Sequence, residues 1–143
     1  MWTVTTLTAD HYDAVCVLWE QAGLPVKLAG RDSHDQFAWQ LGTGIQRALG
    51  VWNGDYLIGV VVTTHDSRKG WINRLAVHPD YRRQNIAQLL IVEAERVLNE
   101  QGMQIIVALI EEGNDASLAL FQHVGYAEYP GIHYVTKRTS QDV

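Results

Sequence analysis

Polar and apolar positions follow two periods along this chain, and the points where one gives way to the other mark its elements. Trp2 to Leu7 alternates and is rich in β-branched residues, which predicts a first strand. From Thr8 the period lengthens. Val15, Leu18, Trp19 and Ala22 share one face of a helix that Thr8 can cap, with Asp10 and Asp13 near its positive end and Gly23 and Pro25 ending it. Residues 26–32 read as loop. A short second helix starts at Ser33 or Asp35 and runs through Phe37, Trp39 and Leu41 to Gly42 and Gly44. Two strands follow, Gln46 to Trp52 and Tyr56 to Thr64, joined by the hairpin signal Asn53-Gly54-Asp55. Lys69-Gly70 turns the chain into another strand, Trp71 to Val77.

The next stretch, Leu75 to Leu90 (LAVHPDYRRQNIAQLL), organises the rest. Pro79 ends the strand, since proline has no N–H for a ladder and fixes φ. A helix entered near Arg83 then carries Ile86, Leu89, Leu90, Ala94, Val97 and Leu98 on one face, with Gly102 as its C′ residue. Gln104 to Ile110 is a nearly continuous apolar run, typical of a strand buried on both faces. Asn114 can cap a helix from Asp115 to Val124. A last hairpin about Pro130-Gly131 has Ile132 to Lys137 as its second strand. The order predicts an α/β (α+β) fold with a mixed sheet. The strand-helix-strand unit from Trp71 to Ile110 is its parallel, right-handed part.

Composition narrows the function classes. The 143 residues suit one domain, residues 1–143, and 47% apolar with 19% charged residues is a globular composition. No apolar run approaches the ~18 residues of a membrane span, and the start has no signal-peptide pattern, so the expected location is the cytoplasm. One cysteine, Cys16, excludes an internal disulfide framework and reads as core beside Val15, Leu18 and Trp19. A net charge of -5 without a basic stripe argues against nucleic acid. The six histidines show no metal-ligand spacing, so no metal is expected.

The chemistry is concentrated at the turn. Two adjacent arginines, Arg82 and Arg83, precede a helix whose first amides lack intrahelical acceptors, and such a start attracts anions. A phosphate-bearing ligand follows. Neither G-x-x-x-x-G-K-[ST] nor G-x-G-x-x-G is present, so the usual nucleotide loops are excluded. What is present is R-x-x-N-x-A, Arg82 to Ala87, directly after L-A-V-H-P. It resembles the acetyl-coenzyme A signature of the GNAT superfamily of N-acetyltransferases, Q/R-x-x-G-x-G/A, with Asn85 where glycine is usual. A second family pattern, N-x-x-A/S-x-x-x-Y-x-x-x-G-F/Y, is matched by Asn114, Ser117, Gly125 and Tyr126, with Phe121 in the tyrosine place. The element order is also that of the family.

The resemblance implies a central, mostly antiparallel mixed sheet of about seven strands with about four flanking helices, and a V-shaped cleft between the fourth and fifth strands. It implies acetyl-CoA as cosubstrate, direct acetyl transfer to the amine of a small molecule or protein, and a monomer or homodimer. Backbone groups of Leu75, Ala76 and Val77 would pair with the pantetheine arm, and an N–H near Leu75 would polarise the thioester carbonyl. The backbone of Arg83, Gln84, Asn85, Ile86, Ala87 and Gln88, with Arg82, would hold the pyrophosphate. Asn114, Ser117 and Phe121 would complete the cofactor side. At Asn85 a side chain takes space that glycine leaves for phosphate, so weaker or differently angled binding is expected.

The proton-transfer groups are less well marked. Leu109 stands where many relatives carry a glutamate base, and Phe121 has no proton to give. Glu111 lies on the same strand face two residues on and could act through water, although a solvated strand-end carboxylate is the commoner case. Tyr126 and Tyr134 are the candidate acids. Trp19, Trp39 and Tyr134 are candidates for the acceptor side, with plain packing equally open for each. The alternative to catalysis is a non-catalytic acyl-CoA-binding or sensing module on the same fold.

Overall fold

The computed structural model describes residues 2–141 and 143. Among these, five strands form one sheet in sequence order: β1 (Val4–Thr6), β2 (Arg47–Asn53), β3 (Tyr56–His65), β4 (Gly70–Val77) and β5 (Ile106–Ala108). β1 to β4 are antiparallel neighbours, and β5 joins β4 in parallel. Helices α1 (Tyr12–Gln21) and α2 (His34–Gly42) pack one face; α3 (Ile86–Glu100) and α4 (Asp115–His123) pack the other.

The α/β class, the mixed sheet and the Asn53–Tyr56 hairpin are as the sequence implies. The strand count is lower. Residues 127–137 adopt no regular structure, so the expected last hairpin is absent and the sheet ends at β5. With nothing on its outer side, β5 shrinks to three half-buried residues flanked by exposed Ile105 and Leu109. It is not the doubly buried strand its apolar run suggests. The first helical stretch opens with a 3-10 turn, Ala9–His11. Thr8 caps that turn, its Oγ1 accepting from the Asp10 amide and its own N–H donating to His11 Nδ1.

Each face has its own core. Leu49, Val51, Val61 and Ile72 of the sheet meet Ile86, Leu90, Ile91, Ala94 and Leu98 of α3 and Phe121 of α4. On the reverse face Ala48, Val60, Val62 and Ala76 meet Val15, Leu18 and Trp19 of α1 and Phe37 of α2. Two glycines set how close α3 lies. A Cβ on Gly59 would stand 2.8 Å from Ile86 Cγ2, and one on Gly70 2.9 Å from the Leu98 methyls. The helix is therefore seated directly on the β3–β4 backbone at both of its ends.

Gly59→Ala is expected to overpack that contact and to lower stability by about 1–3 kcal/mol in urea denaturation, with the m-value unchanged.

Candidate functional site

β4 and β5 share only a short run of ladder. The pairs are Gly70–Ile106, Trp71–Val107 and Ile72–Ala108, and beyond Ile72 the β5-facing edge of β4 has no strand partner. The cause lies in β4 itself. Opposite β3, Val60 pairs Ala76 and Val62 pairs Asn73, so Arg74 and Leu75 together face Val61 alone. This is a bulge, with Arg74 in the left-handed region at φ 55, and a bulge bends its strand.

Alternation then decides which backbone groups face the opening. His78 N–H donates to Ile58 O at 2.8 Å, so His78 and Ala76 direct their backbone groups to β3, while Val77 and Leu75 direct theirs to the open side. Ala76, expected alongside them, is committed to β3, and its side chain is buried in the α1 core.

The strand ends at His78, whose Nδ1 accepts from the Asp80 amide at 3.1 Å and starts a 3-10 turn, Pro79–Tyr81. Tyr81 is braced from β2, its hydroxyl taking a 2.7 Å bond from Asn53 Nδ2, and its ring meets Trp2 edge-on. Arg83 (φ 63) and Asn85 (φ 61) then both take left-handed backbone. The helix begins at Ile86, three residues later than expected from sequence, and Asn85 makes no side-chain cap bond. Its carbonyl receives the Leu89 amide, leaving the amides of Ile86, Ala87 and Gln88 without intrahelical acceptors. By contrast α2 and α4 are capped by Ser33 and Asn114. Among the described residues no carboxylate pairs with Arg82 or Arg83, and both are exposed.

Asn85 now has a conformational explanation. The position needs φ > 0, and asparagine is the side chain that tolerates it best after glycine. Glycine's absence thus leaves the backbone path intact.

The bulge is anchored from the opposite side. Arg74 Nη2 donates to Pro25 O at 2.7 Å, its guanidinium lies 4.3 Å from the Trp19 ring centroid, and Asp32 Oδ2 is 3.9 Å away. Burial pulls the Arg74 guanidinium down from its ordinary value and Asp32 works against that shift. Asp32 in turn accepts from the Lys27 amide at 2.8 Å, while its own carbonyl takes the Tyr12 hydroxyl at 2.6 Å. Burial, followed by the Cys16 contact, pushes that hydroxyl up to about 12. The loop after α1 is therefore tied to the strand that lines the opening. Nothing in the sequence signals this: a left-handed arginine has no motif, and its partners lie far away along the chain. Trp19 belongs to this anchor and is buried, whereas Trp39 is exposed. Cys16 is half-buried, and burial raises its thiol, which makes it a poor nucleophile.

The candidate proton-transfer groups are not brought together. Glu111 follows the end of β5 in an exposed turn, its carbonyl accepting from the Asn114 amide, so it shares no strand face with Leu109. Tyr134 is 73% exposed and touches no core. Tyr126 packs edge-on against Phe121 and stands beside Glu95, about 13 Å along α3 from Ile86 at 1.5 Å per residue. Its hydroxyl is enclosed near that carboxylate without a hydrogen bond of standard geometry. Burial and then Glu95 push it above the usual phenol range, the wrong direction for an acid. Phe121 is 5% exposed and belongs to the α3 core. Asn114 Oδ1 accepts from the half-buried Ser117 amide at 3.2 Å, which leaves its Nδ2 as a donor. No group of three or more His, Cys, Asp or Glu could hold a metal among the described residues.

Comparison with known proteins places the chain in a family. The acetyltransferase (GNAT) family model matches residues 13–126. The chain belongs to the GNAT acetyltransferase family. An acetyltransferase of Pectobacterium atrosepticum is 28% identical over 142 residues, covering 93% of this chain and 92% of the relative. The fold is shared with AAC(6')-Iy, solved with the bisubstrate analogue CoA-S-monomethyl-acetylneamine. That likeness has a TM-score of 0.80 and 17% identity, over 96% of this chain and 99% of the other. The ribosomal-protein-S18-alanine N-acetyltransferase of Escherichia coli gives a TM-score of 0.75 at 21% identity, over 90% and 79%. For this GNAT chain the opening between β4 and β5 is accordingly the candidate active site. Among the described residues no helix is long and apolar enough to cross a membrane.

Asn85→Val places a β-branched side chain at positive φ and should cost roughly 1–2 kcal/mol of stability, with weaker acetyl-CoA binding by calorimetry; Asn85→Gly should retain both. Equal behaviour of the two variants would mean that the left-handed turn is not what the position requires.

Proposed function

We propose that the protein passes an acetyl group directly from acetyl-CoA to an amine, carried by a small molecule or by a protein. The observation that carries this reading is the pair of unsatisfied backbone sets side by side: the open edge of β4 at Leu75 and Val77, and the uncapped start of α3. The first suits an extended amide-bearing arm, which can add to a strand edge as another strand does. The second suits a pyrophosphate, which would meet the amides from Gln84 to Gln88, with Arg82 and Arg83 supplying charge in a chain whose net charge is -5. Ile86 contributes backbone only, since its side chain is spent on the core. Asn114 Nδ2 is the donor available to the arm from the α4 side.

Acetyl-CoA supplies an activated thioester. The protein's part is to align it and to place an N–H, that of Leu75, where the carbonyl oxygen gains charge. No side chain is assigned as the base or acid. A thiol of pKa near ~8.5 is a tolerable leaving group at neutral pH, and an amine that is partly neutral needs only water to take its proton. Coenzyme A-bearing acetyltransferases among the structural neighbours support the donor. An aminoglycoside N-acetyltransferase and a ribosomal-protein-S18-alanine N-acetyltransferase among the neighbours leave both acceptor classes open.

The second reading, an acyl-CoA-binding module, is favoured by the absence of an ionisable group at Leu109 and Phe121 and by the exposed position of Glu111. The two are separated by incubating the protein with acetyl-CoA and a panel of polyamines, aminoglycosides and peptides with free N-termini, and following release of free thiol. Turnover with at least one amine is the expected result. Tight acetyl-CoA binding with no thiol release from any of them would transfer the conclusion to the binding module.

A further inference from the structure

Among the described residues four non-glycine positions take positive φ. Ser67, Arg83 and Asn85 lie in connections between elements, whereas Arg74, at φ 55, lies inside a strand. An arginine there is strained, and such strain persists only where the surroundings fix it. A second cost falls on the same residue. Arg74 Nε is enclosed without a hydrogen-bond partner, which buried donors rarely are. Glycine or asparagine would meet the backbone requirement more cheaply. What arginine adds is reach.

The side chain ends among three groups of the α1 side. Its Nη2 donates to Pro25 O at 2.7 Å, its guanidinium lies 4.3 Å from the Trp19 ring centroid, and Asp32 Oδ2 stands 3.9 Å away. Those groups are themselves fixed. Trp19 is 2% exposed, and the loop is closed by Lys27 N–H on Asp32 Oδ2 at 2.8 Å, Asp32 N–H on Lys27 O at 3.1 Å and the Tyr12 hydroxyl on Asp32 O at 2.6 Å. A planar guanidinium can stack on a ring and donate in its own plane at once, which an ammonium cannot.

The consequence falls on the next residue. A peptide unit is rigid, so the direction of the Leu75 N–H follows from ψ of Arg74. With Arg74 clamped, that N–H faces the opening; with the clamp released, the strand can relax toward ordinary extended backbone and turn it away.

We propose that Arg74 is the positioning residue of the transfer step, its clamp on Trp19 and Pro25 aiming the Leu75 N–H at the thioester carbonyl. This rests on the reading of Leu75 as the carbonyl donor. Arg74 acts through the backbone, so its effect belongs to the moment when the carbonyl oxygen gains charge and not to the holding of acetyl-CoA, which falls to the start of α3 and to Val77.

Carbon-13 NMR of acetyl-CoA labelled at the thioester carbonyl reads the donor without any acceptor, because a hydrogen bond to that oxygen moves the resonance downfield. Bound to the unmodified chain, the carbonyl should lie downfield of free acetyl-CoA. Bound to Arg74→Asn, which tolerates positive φ but cannot reach Trp19 and Pro25, it should return to the free position, with the acetyl-CoA dissociation constant unchanged by calorimetry. With an amine that turns over, kcat should fall by up to about 10²- to 10³-fold, the worth of an oxyanion donor, while KM for acetyl-CoA is kept. Arg74→Lys should behave in the same way, and it supplies the comparison if the asparagine variant does not fold. A downfield carbonyl retained in either folded variant overturns the proposal. So does a loss of acetyl-CoA binding in step with the shift, which would make Arg74 a general support of the opening. An unshifted carbonyl in the unmodified chain overturns the Leu75 reading itself, and the positioning role falls with it.

Discussion

The seating of α3 on the sheet is the constraint from which the rest of the structure follows. Gly59 and Gly70 remove the side chains that would hold the helix off, so Ile86 and Leu98 rest on the backbone of β3 and β4. That contact fixes the first turn of α3 immediately beyond the end of β4, and the connecting chain must reverse direction within a few residues. It does so with a histidine-started 3-10 turn and two left-handed residues, Arg83 and Asn85. The tightness of the turn leaves the helix uncapped, and the same tightness makes its free amides available to an anion.

β4 serves two surfaces at once. Its bulge at Arg74 and Leu75 lets the first half pair with β5 while the second half turns its Leu75 and Val77 backbone groups to the opening. Arg74 holds the bulge by stacking on Trp19 and bonding Pro25 O, an arrangement in which a half-buried guanidinium is compensated by Asp32 and an aromatic face. The loop from Gly23 to Ser33 is thereby coupled to the strand that lines the opening, so a change in either is felt by the other.

How much of this the sequence shows depends on whether the cause is local. The β2–β3 hairpin, the α3 amphipathic face and the Asn114 cap rest on neighbouring residues and were legible. So was the family, through two motifs in the right order. The start of α3 lies later than its sequence pattern suggests because arginine gives no hint of the left-handed backbone at Arg83. The run from Gln104 to Ile110 reads as a buried strand, yet burial needs a neighbour on its outer side, and residues 127–137 do not provide one within the chain. Tyr126 carried the family pattern but faces Glu95, because motif spacing fixes a position along α4 and its following turn, not the direction of a side chain. Glu111 lost its strand face when β5 ended at Ala108.

In the proposed complex one ligand joins the open edge of β4 to the uncapped start of α3. Amide hydrogen exchange with and without acetyl-CoA tests it at single residues. Slowed exchange is expected at Leu75 and Val77 and from Gln84 to Gln88, with little change at Ala76, which is already paired with Val60 of β3. Protection confined to other elements, or a change at Ala76 as large as that at its neighbours, would contradict it.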